Sequence, residues 1–364
     1  MLQQKFNPDQ KPIVSPLDGK ILAIRELSDI ESEAARAIDF KAIADQVDGF
    51  VRKNLLRPGK LDLNQSDIQF LNQYLTDLLS PISDQVMASI LRAGMIGILI
   101  ADQSQSLKPR RYIDTSTLPA KTGSFFQQHQ IDPVTLRAMK DIELQGTVHI
   151  SRAVEQTKER VVDSLLESMA KGHGPSETVE NIRQAITDPE EINRNWRRVA
   201  AFEITHSMTN AYLAASPNHS LHLGRSMPDA CDHCKHMIDG TLVIKTDHII
   251  PDYQFLKEDT PEYAERSFLW DRVIWPGKTN IGRSSSPKTR DGRTRAHHEQ
   301  WTPVIPAHPH CRCVWIMINP ALVYVKAGQI LTKEQNPAEW QKWFDEEATP
   351  LLNLIARFKT LRAV

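Results

Sequence analysis

The sequence predicts an α+β chain in two parts: an all-helical half to about residue 216, then a small metal-stapled domain of short strands and loops, closed by a terminal helix. Three observations carry this. Glycine is sparse, at 15 of 364 residues, which suits long helices better than a barrel or a sandwich. Apolar residues recur at helical spacing up to residue 216. Beyond it come His, Trp, Pro, short β-branched runs such as TLVI and CVWIMI, and all four cysteines.

Taken in order, residues 1–27 (QQKFNPDQKPIVSPLDGK among them) mix Pro, Gln and Lys without a usable period and predict an extended arm. A helix rich in Glu, Ala and Ile is expected over 28–54. Ser66 is placed to cap SDIQFLNQYLTDLL, where Ile68, Leu71, Leu75 and Leu78 keep helical spacing. Pro81 separates that helix from a second, SDQVMASILRAGMIGILIADQ, in which Gly94 and Gly97 suggest close packing against a neighbour. Its apolar stretch, residues 86–101, carries Arg92 and is too short to span a bilayer, so it reads as a buried helix.

Asp132-Pro133 is a cap followed by proline at the first helical position. It opens a long helix, one face of which is marked by Leu144, Val148, Val154, Val161, Leu165 and Met169, ending near Lys171-Gly172. Ser176 then caps SETVENIRQAIT, and RRVAAFEITHSMTNAYLAAS runs to Pro217. The divisions expected are 1–27 arm, 28–216 helical domain, 217–320 metal-binding domain and 321–364 helical tail. In that tail Trp340, Trp343 and Phe344 would anchor on a partner or pack back on their own domain, with a break at Pro350.

Charge narrows the function classes. Lys+Arg number 44 against 45 Asp+Glu, a net charge of -1, which excludes a globally basic nucleic-acid coat. Contact with DNA would need a local patch. One is available in Lys278, Arg283, Lys288, Arg290, Arg293 and Arg295, opposed only by Asp291, in a Ser-, Gly- and Pro-containing stretch. Without interleaved aromatics it suggests phosphate tracking and not base stacking; a solvated loop gives the same pattern. No apolar leader precedes residue 16, so a secretory signal is not expected.

The cysteines form two close pairs, Cys231-x-x-Cys234 and Cys311-x-Cys313, separated by a long loop. Disulfide scaffolds are smaller and spread their cysteines, so a metal site in a reducing compartment is the better reading. Zinc takes four thiolate or imidazole ligands in a tetrahedron. The expected set is Cys231, Cys234, Cys311 and either His308 or Cys313, with His233 and His236 as nearby spares. Four protein ligands leave no open position, so the zinc would be structural. On this reading, Cys231→Ser or Cys311→Ser would unfold the small domain and spare the helical half.

The run His308-Pro309-His310-Cys311-Arg312-Cys313 resembles the H-P-x-C-R-C signature that closes the Mu-F-like domain of phage minor head proteins. DACDHCKHMIDG is similar to that family's D-x-x-C-x-x-C and short hydrophobic-Gly turn. RVAAFEITHSMTNAY keeps Glu203 and Asn210-Ala211-Tyr212 of its R-T-E-like helix, with Ala201-Phe202 where Arg-Thr is usual. The likeness covers roughly residues 130–320. It implies a non-enzymatic head-morphogenesis protein, made in the host bacterial cytoplasm and carried in the virion at the portal vertex, inside the capsid. Its implied partners are the portal protein, the major capsid or scaffold proteins and the packaged DNA, with no membrane in the assembly role. It would aid capsid assembly and DNA packaging or delivery.

A rival of another class rests on Cys231-x-x-Cys234 followed by Asp247-His248-Ile249-Ile250-Pro251, which looks like the opening of an HNH endonuclease. His248 would be the general base of a metal-dependent DNA cleavage and Asn280 its orienting residue. The second C-x-x-C with a trailing His that usually closes such a site is missing. A zinc-bound adaptor unrelated to phage would share the same metal and helices.

Overall fold

The computed structural model describes residues 16–56, 63–105, 111–188, 192–227, 230–253, 256, 260–280, 302–307, 311–326 and 329–360. The helical part comprises α1 (Pro16–Ala37), α2 (Phe40–Asn54), α3 (Gln65–Gln105), the short α4 (Thr122–Gln128), α5 (Pro133–Ala170), α6 (Pro175–Thr187) and α7 (Ile192–Ala215). Strands and short helices follow: β1 (Leu221–Arg225), α8 (Asp232–Met237), β2 (Leu242–Lys245), α9 (Pro261–Arg272), β3 (Val273–Ile274), β4 (Val314–Ile318), β5 (Val323–Lys326) and β6 (Gln329–Thr332). The chain closes with α10 (Pro337–Trp343), a π-turn at Phe344–Ala348 and α11 (Thr349–Thr360). Long helices, a small strand region and a C-terminal helix are thus the architecture the sequence predicts.

Several local signals act as expected. The Asp132 carboxylate accepts the N–H groups of Val134 and Thr135, and Pro133 opens α5. That helix stops at Lys171, where Gly172 takes φ 69°. Gly97 lies against α7 so closely that an added Cβ would sit 2.2 Å from the Met208 carbonyl oxygen, and Ser207 donates to the Ile90 carbonyl at 2.7 Å across the same seam.

Other expectations are corrected. Residues 16–27 are helical and not an arm: α1 starts at Pro16, and Leu27, Ile30 and Ala34 are buried on one face of it. The helix expected over 28–54 breaks at Ile38-Asp39, where the Asp39 carboxylate caps α2 through Lys41 and Ala42. Pro81 does not divide α3; it is exposed, and its missing N–H costs one bond in a helix packed on α1, α5 and α7. The cap of α3 is Asn64, not Ser66, since Asn64 and Asp67 exchange side-chain to backbone bonds at 3.0 and 2.9 Å. Gly174, not Ser176, caps α6. On α5, Leu144 and Val148 are exposed, at 66% and 40%, whereas Met139, Ile142, Gly146, Ile150 and Ala153 face the core.

Helix α3 is long and apolar enough to cross a membrane by composition, and 67% of its most apolar window is buried against the rest of the chain. Here it is the central helix of the bundle.

In the order β3-β2-β1-β4, β1 pairs antiparallel with β2 and β4, and β2 parallel with β3. One core, holding Leu27, Ile30, Ile96 and Met208 from the helices, also holds Cys234, Ile238, Val243, Cys311, Cys313 and Trp315. A second core covers α9, β5 and the C-terminal helices, with Leu223, Trp270, Trp275, Tyr324, Trp343 and Leu351. Helices give way to strands between Ala215 and Leu221, yet the first core runs across that point without a seam. In the 321–364 region the β5–β6 hairpin precedes the helices, an element the expected helical tail did not include. Trp343 is buried and Trp340 donates to the Pro320 carbonyl at 2.8 Å, so the tail packs on its own chain.

The α3–α7 seam yields a paired test. Gly97→Ala should cost about 1–3 kcal/mol by forcing two backbones apart. Gly49→Ala in α2, which meets nothing within 4 Å, should instead stabilise by about 0.5–1 kcal/mol. Urea denaturation of the two variants against the parent checks both signs.

Candidate metal centre

Sheet register builds this site. Arg225, the last residue of β1, pairs with Val314, the first of β4, so Cys313 and Cys311 arrive beside the segment leaving β1. That segment enters α8, whose N-cap is Cys231 and whose third residue is Cys234. Gly224 lets the end of α8 settle on β1: a Cβ there would sit 2.2 Å from the Ile238 carbonyl oxygen, and Gly224 exchanges backbone bonds with Thr241 and Gly240 at 2.8 and 3.0 Å.

The sulfurs of Cys234, Cys311 and Cys313 consequently lie within 4.8 Å of one another, all buried, with Cys234 and Cys311 3.8 Å apart. Tetrahedral zinc with bonds of about 2.3 Å to sulfur requires sulfurs about 3.8 Å apart. No disulfide joins any of the four cysteines. Cys231, the N-cap of α8, is exposed and is not among the three clustered sulfurs; His308 lies outside the described residues. Of the alternatives left open by sequence, Cys313 stands with Cys234 and Cys311. The trio could hold a metal ion.

Protonation at the trio is lopsided. Hydrogen bonds from Cys234 and Cys313 drive the Cys311 thiol down, to about 2, aided by the backbone N–H groups of Ala307 and Cys313. The bond to Cys311 pushes Cys234 up steeply. For Cys313, Cys234 lowers the pKa, but the bond to Cys311 and burial outweigh it and leave it at about 12. Sulfurs this close oppose one another's ionisation, and a bound cation would offset that repulsion. The donor set and the N–H groups aimed at it fit a thiophilic divalent ion.

Arg312, between two of these sulfurs, reaches Glu31 on α1 at 2.9 Å. Burial raises the Glu31 carboxyl, and Arg312 opposes that shift.

The other residues singled out by sequence fare unevenly. Lys278 is not a DNA-facing cation: it is 5% exposed, its ammonium donates to the carbonyls of Trp270 and Val273, and it lies over the rings of Trp270 and Trp275. Arg283, Lys288, Arg290, Arg293 and Arg295 lie outside the described residues. Asn280 is buried and clamps Thr302, donating to its carbonyl at 3.1 Å and accepting from its N–H and hydroxyl, so it is not turned toward a substrate. His248 is half-buried in the bend after β2, its backbone N–H on the Thr246 hydroxyl.

No protein-family model, curated protein or solved structure matches this chain. The site must therefore be read from its own chemistry.

Two polar constellations that sequence reasoning missed join the helices to the strands. Glu203, 1% exposed, takes His149 on one oxygen at 2.5 Å and has His206 Nδ1 3.9 Å from the other. His206 in turn meets Asn210, whose Oδ1 accepts the Gly277 N–H at 2.9 Å. Glu203 and Asn210 are the helix residues that the family resemblance marks; His149, 54 positions away, carries no pattern in sequence. The second constellation is centred on His222. Met317 N–H donates to the Tyr212 hydroxyl at 2.7 Å, Tyr212 to His222 Nδ1, and His222 Nε2 meets Ser220, which donates to the Pro217 carbonyl.

Burial holds both histidines neutral. His206 falls to about 4, with His149 adding to the effect, and His222 to about 3, with Lys245 adding to it. The unfolded chain takes up these protons near pH 6.5 and the folded chain does not. Stability is therefore complete above that value and falls as pH drops toward 4. Each histidine should remove about 3 kcal/mol between pH 7 and pH 4. Denaturant titrations at both pH values should show a smaller pH-dependent loss in His222→Gln than in the parent; equal losses would refute the assignment.

Proposed function

We propose that this chain is a structural, non-enzymatic minor head protein of tailed phage, of the Mu-F-like kind, held together by zinc. The observation that carries the reading is the meeting of Cys311 and Cys313, from the H-P-x-C-R-C run, with Cys234, from the C-x-x-C run, in one buried trio. A closed thiolate site in a core shared by helices and strands suits a protein whose task is to keep its shape within an assembly. Cys231 or His308 would complete the tetrahedron.

In this role the helical body faces the portal protein, and the strand region faces the capsid interior, the major capsid or scaffold proteins and the packaged DNA. The arginines and lysine at 283, 288, 290, 293 and 295 are the proposed phosphate contacts. The commitment of Asn280 to Thr302 weighs against a nuclease built on His248.

Co-expression with the cognate portal protein, followed by cross-linking mass spectrometry, tests the reading. Cross-links from α3, α5 or α7 to the portal and one zinc per chain are expected. Cys234→Ser and Cys311→Ser should each abolish stoichiometric zinc. Absence of portal contact and of the protein from purified particles would overturn the assembly role, and metal-dependent DNA cleavage lost in His248→Ala would replace it.

A further inference from the structure

We propose that metal occupancy of the sulfur trio controls the docking of α1, with Arg312 as the latch; this rests on the metal-binding reading above. Arg312 has a proposed ligand on each side, so a bound cation that fixes Cys311 and Cys313 fixes the residue between them. Its guanidinium meets Glu31, whose side chain is 11% exposed. The other Glu31 oxygen is buried with no hydrogen-bond partner, so Arg312, its own side chain 47% exposed, is the cation that compensates a largely covered carboxylate. Taking away one partner of such a pair leaves an uncompensated charge, which a helix relieves by moving out.

The other polar ties of α1 lead elsewhere. Glu26 accepts the Ile113 N–H at 2.6 Å, Asp29 accepts the Tyr112 hydroxyl at 2.7 Å, and Glu33 pairs with Arg92 on α3. Glu31 is thus the tie that answers to the metal site. The apolar face of α1 lies in the same core as the three sulfurs, and α1 packs on β4 directly after Cys313. Loss of the cation removes a ligand-imposed constraint one residue from the Arg312–Glu31 pair and uncovers Leu27 and Ile30. By linkage, undocking α1 must weaken metal binding by the same factor that metal strengthens docking.

Hydrogen–deuterium exchange of the full chain, loaded with one equivalent of zinc and then chelated, reads this out. Chelation should speed exchange in residues 16–37 by roughly tenfold while α5 and α6 stay protected. Arg312→Ala should speed the same residues with zinc still bound one to one, and weaken zinc by roughly fivefold. Glu31→Gln removes the buried charge, so adding Arg312→Ala to it should change nothing further. Zinc bound with exchange in residues 16–37 indifferent to chelation and to Arg312→Ala overturns the latch alone. No zinc bound in a colorimetric assay overturns the metal reading and the latch with it.

Discussion

Three sulfurs brought within 4.8 Å in a buried space sit where the helical bundle and the sheet share one core. Each ionisation among them places a like charge against its neighbours, which a bound cation would offset. The register of β1 against β4, the close seat of α8 over Gly224 and the N–H groups of Met227, Ala307 and Cys313 all converge on that space. Together they gather a sulfur cluster that could hold a cation, in the layer where the helical bundle meets the sheet.

That location changes what the staple holds. From composition alone, the cysteines belong to a small domain that folds around its metal, separable from the helices before it. In the fold they share a core with α1, α3 and α7, and the sheet is covered on its other side by α9 and the C-terminal helices. Damage at Cys311 is therefore expected to reach α1 through Arg312 and Val314, and the helical half is not insulated from it. The boundary at residue 217 marks a change of secondary structure within a continuous core.

What could be read in the sequence follows the range of the interactions involved. Caps and stops depend on a few adjacent residues, and Asp132-Pro133, Gly172 and the Gly94/Gly97 contact were legible for that reason. Pro81 misled because a local rule was overruled by burial on both sides of it: one lost hydrogen bond is small against a helix packed along its length. Residues 16–27 lack a clear pattern in part because a charged residue, Glu26, lies buried on α1 beside its apolar face, where it accepts the Ile113 N–H. Lys278 looked like one more cation in a basic run, yet two tryptophan rings and two carbonyls enclose it. In the metal site the cysteine types and the pairing of the two clusters were legible. The exclusion of Cys231 from the trio was not, because it depends on where α8 begins.

The chain holds a second set of ligand-type groups, His149, Glu203 and His206, and the hydrogen-bond directions argue against a metal there. The Gly277 N–H donates to Asn210 Oδ1, which leaves the Asn210 amide nitrogen to donate to His206 Nε2. Neutral His206 therefore carries its proton on Nδ1, the nitrogen that faces Glu203. A cation at that nitrogen would require the proton on Nε2, opposed to the Asn210 donor. The Gly277 N–H reaches Asn210 and the Asn210 amide reaches His206, while His149 meets the Glu203 carboxylate from the other side and His206 Nδ1 stays buried without a hydrogen-bond partner; the constellation ties sheet to bundle. In the sulfur trio the three ligand atoms instead lie within 4.8 Å of one another, all buried. Of the two clusters that join bundle to sheet, the sulfur trio is the one whose three ligand atoms lie close enough together to hold an ion.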